Sequence, residues 1–142
     1  KKTLRIAARY AQYTNFDSTP EVFKRKSEIL AEHCKDVGTD FDAITRSGNY
    51  NVVIAETDQG VQDKLAWIRA QYEPLVPPDA FERYSKLFAS GPLVGTPELI
   101  VERLQAAGRM GLTYAIANFR DAAYDPTSME LFATQVIPAL AD

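Results

Sequence analysis

The sequence predicts an α/β fold, the C-terminal portion of a (β/α)8 barrel with about three parallel strands and flanking helices. Helix-like and strand-like patterns alternate along the chain, as βαβ units require. The strand-like runs are nearly continuous apolar stretches, which suits strands covered on both faces. Three strands with about five helices do not close a doubly wound sheet comfortably, but they fit the last three βα units of such a barrel. The chain opens on Lys1-Lys2-Thr3, directly in a helical pattern, so it is expected to be the C-terminal part of a larger protein. A single domain spanning residues 1–142 is expected.

The first element follows from Leu4, Ala7, Ala8 and Ala11, which share one helical face opposite Arg5 and Arg9. Gln12 to Phe16 is short and β-prone. Asp17-Ser18-Thr19-Pro20-Glu21 reads as a helix start, with Ser18 or Thr19 as N-cap, Pro20 in the first turn and Glu21 facing the helix dipole. The helix that follows turns Val22, Phe23, Ile29, Leu30, Cys34 and Val37 inward and ends at Gly38, a residue free to take positive φ. Asn51 to Ala55 is the best strand candidate. Asp58 can cap the next helix, whose apolar positions are Val61, Leu65, Trp67 and Ile68.

Three prolines between Pro74 and Asp79 predict a loop. Phe81, Tyr84, Leu87 and Phe88 then predict a short helix ending before Gly91. Gly95-Thr96-Pro97-Glu98 repeats the helix-start chemistry and leads into a helix carrying Leu99, Ile100, Arg103, Leu104 and Ala107. Leu112 to Phe119 is a second buried-type strand. Arg120 to Pro126 is a polar loop, followed by a last amphipathic helix with Met129, Phe132, Val136, Ile137 and Leu140.

Composition excludes several classes. The net charge is -3 with acidic and basic residues interleaved, so no basic footprint for nucleic acid exists. No apolar run reaches the length of a membrane span. Cys34 is the one cysteine, so no intrachain disulfide can form; a reducing, cytoplasmic compartment is expected. His33 lies beside Cys34, but helical neighbours point about 100° apart and cannot readily share a metal. His33 reads as a surface or boundary residue, Cys34 as a small core residue, and no metal site is expected.

In a barrel the chemistry gathers at the C-terminal ends of the strands. That places Thr14, Asn15, Phe16, Ala55, Glu56, Asn118, Phe119 and Arg120 at the site. The helix start at Ser18 and Thr19 offers free N–H groups and hydroxyls to a phosphate, with Lys24 and Arg25 a turn further on. Plain capping explains the same residues. The start at Gly95 to Glu98 reads as structural.

The run Lys2-Thr3-Leu4-Arg5-Ile6-Ala7-Ala8-Arg9-Tyr10-Ala11, followed by Asn15, resembles the bacterial luciferase-like monooxygenase superfamily. So do Gly95-Thr96-Pro97-Glu98-Leu99-Ile100-Val101-Glu102-Arg103-Leu104 and the closing strand and helix that contain Ile116-Ala117-Asn118-Phe119 and Val136-Ile137-Pro138-Ala139-Leu140. The resemblance implies a TIM barrel that holds coenzyme F-420 or FMN at its C-terminal mouth, with the chain beginning just after the fifth strand. The closest flavour is the F-420-using branch. Asn15, Phe16, Ser18 and Thr19 are then the expected cofactor residues. Glu56, Asn118, Phe119 and Arg120 are the expected substrate-pocket residues. The implied function is hydride transfer between F-420 and a small organic substrate, with an FMN-dependent monooxygenase as the alternative. A third reading, from another class, is a catalytically inert half-barrel that self-associates through its open sheet edges. The expected partners are the small-molecule substrate and either a second copy or the missing N-terminal half.

Overall fold

Apolar spacing at the start of the chain forms helix α1 (Lys2–Tyr10), followed by strand β1 (Tyr13–Phe16) and the long helix α2 (Pro20–Val37). The computed structural model describes residues 2–16 and 19–141. Strand β2 (Thr45–Ile54), helices α3 (Asp58–Tyr72) and α4 (Pro78–Ala89), strand β3 (Leu93–Gly95), helix α5 (Pro97–Arg109), strand β4 (Tyr114–Phe119) and helix α6 (Thr127–Leu131) complete the order. Two compact units result. One holds residues 2–49 and 106–116, the other 50–105 and 117–141.

In the first unit β1 pairs in parallel with the first half of β2, Tyr13 opposite Thr45 and Phe16 opposite Gly48. Its burial alternates, with Thr14 and Phe16 covered and Tyr13 and Asn15 exposed, as a strand with one covered face requires. The core joins Ala8, Phe16, Phe23, Leu30, Cys34 and Ile44. Burying side chains such as Phe23 and Leu30 contributes on the order of 1.5–3 kcal/mol each. Cys34 is a core residue, as its place on the apolar face requires. Gly38 ends α2 at φ 73°, and its N–H donates to the Cys34 carbonyl.

Arg46 ties this unit together. It is 5 % exposed. Its Nε donates to the Gly111 carbonyl at 2.9 Å, and Nη1 donates to the carbonyls of Phe41 at 2.8 Å and Ile44 at 3.1 Å. The guanidinium stacks 4.0 Å from the Phe41 ring. Gly111 turns the chain at φ 104°, where a Cβ would press on the Ser27 hydroxyl at 3.3 Å. The Thr113 N–H then donates to the Arg46 carbonyl, and β4 pairs with β2.

In the second unit the last three residues of β2 pair in parallel with β3, Val52 opposite Leu93 and Ile54 opposite Gly95. Val53, Val61, Ile68 and Val94 form its core, with Leu65, Tyr72 and Phe88 packed around them. Arg103 holds β3 by donating to the carbonyls of Pro92 and Val94.

Five expectations change. The strand expected at Asn51 to Ala55 begins six residues earlier, at Thr45. Its polar first half, Thr45-Arg46-Ser47-Gly48-Asn49, hides strand character because its side chains are satisfied by hydrogen bonds rather than by apolar contacts. The loop before Thr96 contains the short strand β3. The Thr57 hydroxyl, not Asp58, caps α3 by accepting from the Gly60 N–H at 3.1 Å. β4 was expected to be buried, yet Tyr114 and Ile116 are exposed. An apolar strand left open in this way lacks the second neighbour that its composition suits. The final helical segment also breaks into α6, a π-helical turn (Phe132–Val136) and a 3-10 turn (Pro138–Leu140).

Candidate functional site

Strand pairing decides which side chains meet. Asn15 lies opposite Ser47 in the β1–β2 register. Its Nδ2 donates to Ser47 Oγ at 3.1 Å and to Asn49 Oδ1 at 3.2 Å. Ser47 Oγ donates in turn to the Thr14 carbonyl at 3.0 Å, and Thr14 Oγ1 donates to the Thr45 carbonyl at 3.4 Å. The result is a neutral ladder of amides and hydroxyls along adjacent strands. Asn15 and Asn49 are exposed, while Ser47 is buried beneath them. Such a set can donate to and accept from heteroatoms on a ligand's edge. It holds no titratable group, so it orients a ligand and leaves acid–base work to others.

Phe16 faces the other way. It is buried, and its ring meets Phe23 edge-on at 5.2 Å, with Lys26 Nζ 5.9 Å from its centroid. Thr19 opens α2 in an extended conformation, and its carbonyl accepts from the Phe23 N–H. Glu21 occupies the first turn of that helix. Ser18, the other expected phosphate contact, lies outside the described residues. Sequence reasoning missed Ser47 and Asn49. Their signal was the Ser-Gly-Asn break inside an otherwise strand-forming run.

The remaining expected residues belong to the second unit. Glu56 is exposed just beyond β2. Asn118 is exposed on β4, and Phe119 is half-buried against Phe132, ring centroids 5.5 Å apart. Arg120 is exposed too, and it borders a cavity of about 620 Å³ between α3 and α4. Tyr72, Phe81, Tyr84 and Phe88 supply its aromatic wall. Arg120 Nη1 donates to the Tyr72 hydroxyl at 3.3 Å, and its guanidinium lies 5.8 Å from the Tyr72 ring and 5.7 Å from the Phe88 ring. The sequence placed Phe81, Tyr84 and Phe88 in a core or interface; Phe81 is buried, whereas Tyr84 is exposed.

A second polar cluster in this unit is structural. Lys64 Nζ donates to Ser128 Oγ at 2.8 Å, Asp121 Oδ2 at 3.1 Å and Asp125 Oδ2 at 3.3 Å. Ser128 Oγ also donates to Asp121 Oδ2. Asp121 and Ser128 are buried, beyond the reach of a substrate. Asp125 caps the start of α6 by accepting from the Thr127 hydroxyl and N–H. These bonds, the hydroxyl's first, hold its carboxyl below the ordinary value. Among the described residues no group of three or more His, Cys, Asp or Glu side chains could hold a metal ion. Among those residues, too, no helix is long and apolar enough to cross a membrane.

The fold recurs in solved structures. A coenzyme F-420-dependent tetrahydromethanopterin reductase from Methanopyrus kandleri superposes with a TM-score of 0.70 at 17% identity, over 96% of this chain and 48% of its own. An F-420-dependent secondary alcohol dehydrogenase, solved with an F-420–acetone adduct, gives 0.68 at 15% identity, over 99% and 46%. The EDTA monooxygenase of Chelativorans sp. BNC1 gives 0.75 at 13% identity, over 99% and 44%. The chain thus spans less than half the length of each of these proteins and shares the fold of that part of their barrels. No family model matches the sequence. No curated protein matches it either.

Proposed function

We propose that the chain is the coenzyme-facing C-terminal part of a luciferase-like oxidoreductase that transfers hydride between F-420 and a small organic substrate. The observation that carries this is the exposed amide pair, Asn15 and Asn49, held over Ser47 where the end of β1 pairs with the middle of β2. Neutral amides suit the heteroatom-rich edge of a deazaflavin or flavin ring, which offers both donors and acceptors. The N-terminus of α2 at Thr19, with Ser18 before it, is the proposed phosphate end. Phe16 sets the position of Asn15 from beneath by anchoring β1 in the core. When bound, the coenzyme supplies the hydride chemistry, and the chain supplies orientation. Glu56, Asn118, Phe119 and Arg120 are proposed to face the substrate. FMN, with monooxygenase chemistry, is the alternative coenzyme that the same donor set admits.

The test is a titration of the chain with F-420, followed by quenching of the coenzyme's fluorescence. Asn15→Leu is expected to weaken binding about tenfold, the effect of losing hydrogen bonds to a desolvated ligand edge. Unchanged affinity in Asn15→Leu contradicts the placement. A second reading is favoured by exposed Tyr114 and Ile116 on β4. In it the chain is a catalytically inert half-barrel that covers β4 by self-association, and it binds neither coenzyme.

A further inference from the structure

The cavity between α3 and α4 carries chemistry of its own. At about 620 Å³ it falls within the size of ordinary small-molecule sites. Its wall is mainly apolar, with the rings of Tyr72, Phe81, Tyr84 and Phe88 set among aliphatic side chains, and two guanidinium groups border it. The two are not equivalent. Arg69 has a carboxylate partner, Glu82, at 3.5 Å, and lies over the Phe81 ring at 4.9 Å. Arg120 has no carboxylate partner among the described residues. It is held by the Tyr72 hydroxyl and by the faces of Tyr72 and Phe88. Aromatic faces attract the cation without consuming its N–H donors. The Tyr72 hydroxyl takes one of the five, so most of the planar fork remains for an anion.

We infer that this cavity binds a small amphipathic carboxylate, its apolar body against the four aromatic rings and its carboxylate on Arg120. Charge complementarity selects the occupant. An apolar ligand alone leaves the Arg120 fork unmatched, and a hydrophilic anion leaves the aromatic wall bare. A planar aromatic acid satisfies both. The fixed guanidinium offers it paired N–H donors at little conformational cost. Arg69 contributes less, because Glu82 already answers its charge. As a binding site the cavity stands on the second unit alone. As the site of the substrate it rests on the oxidoreductase reading, and it then names that substrate's class.

The experiment measures binding of 2-naphthoate and of its neutral methyl ester to the chain by calorimetry, with no coenzyme present. The acid is expected to bind about tenfold more tightly than the ester, the usual scale of a charge-assisted hydrogen-bond pair at a partly exposed site. Arg120→Gln is expected to abolish that preference, weakening the acid far more than the ester, and a thermal unfolding midpoint equal to that of the unsubstituted chain shows that the variant is folded. Arg69→Gln is expected to change the acid's affinity less than about threefold, as for a guanidinium already paired. Equal binding of acid and ester overturns the inference. So does a preference that survives Arg120→Gln, or the absence of any binding. Because the coenzyme is left out, acid binding that persists in a chain unable to bind F-420 or FMN upholds the site and removes only the oxidoreductase reading.

Discussion

Replacing Arg46 with Met is expected to destabilise the first unit by about 3–5 kcal/mol, a large share of the 5–15 kcal/mol typical of a domain. Arg46 donates to the carbonyls of Gly111, Phe41 and Ile44, three points that no single main-chain element brings together. Bonds from a charged donor contribute about 1.5–3 kcal/mol each, although they do not add fully. Met fills the volume and keeps some contact with Phe41, but removes the charged donor that these carbonyls share, leaving the Phe41 carbonyl with the Ile44 N–H. The exposed Asp42, 3.9 Å from Nη2, adds little. Lys at this position keeps the charge but lacks the planar fork, so Arg46→Lys is expected to recover less than half of the loss. Hydrogen exchange at the Thr113 amide, which bonds to the Arg46 carbonyl, reads the effect locally. A loss below about 1 kcal/mol, within the range of an ordinary surface change, contradicts this role.

Lys64→Met is the second large effect, expected to cost about 3–5 kcal/mol in the second unit. The reason is the group left behind. Asp121 is 4 % exposed, and its Oδ1 has no hydrogen-bond partner among the described residues. Its charge is answered by Lys64 and by the Ser128 hydroxyl. Without Lys64 a buried carboxylate stands unpaired. The double variant Lys64→Met with Asp121→Asn removes that charge and is expected to recover at least half of the loss. A double variant no more stable than Lys64→Met alone contradicts the argument. The cluster also has a pH signature. The lowered carboxyl of Asp125 owes most to Thr127, so its stabilising contribution is present above the ordinary Asp value of 3.8 and is lost as pH falls below it through the folded-state pKa. Lys64 is a smaller cause, so this acid sensitivity is expected to persist in Lys64→Met.

Much of the fold was legible because local chemistry and tertiary packing agree. α2 shows its start at Pro20, its inward face at Phe23, Leu30 and Cys34, and its end at Gly38, all in short-range pattern. The first half of β2 was not legible. Ser47, Gly48 and Asn49 look like a turn, and only the pairing of β2 with distant strands, β1 more than thirty residues before it and β4 further along the chain, makes the run a strand. β4 misled in the opposite direction, since its apolar composition records the neighbours that such a strand suits, whereas Tyr114 and Ile116 are exposed here.

The site divides in the same way. Asn15 was readable from its place at a strand end. Ser47 and Asn49 were not, because their role depends on register. Phe16 sits at the same strand end but on the opposite face, a distinction that alternation along β1 does supply. The aromatic spacing of Phe81, Tyr84 and Phe88 cannot distinguish a core from a cavity wall, because both present one helical face. Arg120 was placed in a pocket from the sequence, but the aromatic cage around it comes from α3 and α4 and has no local signature.

Native mass spectrometry of the chain in the presence of F-420 and FMN tests the central claim most directly, with Asn15→Leu measured beside it. The account predicts a species carrying one F-420 per chain, weakened in Asn15→Leu, and its mass separates F-420 from FMN as the coenzyme. Multiples of the 15.8 kDa chain mass that carry neither coenzyme contradict it and leave the self-associating half-barrel as the description of this protein.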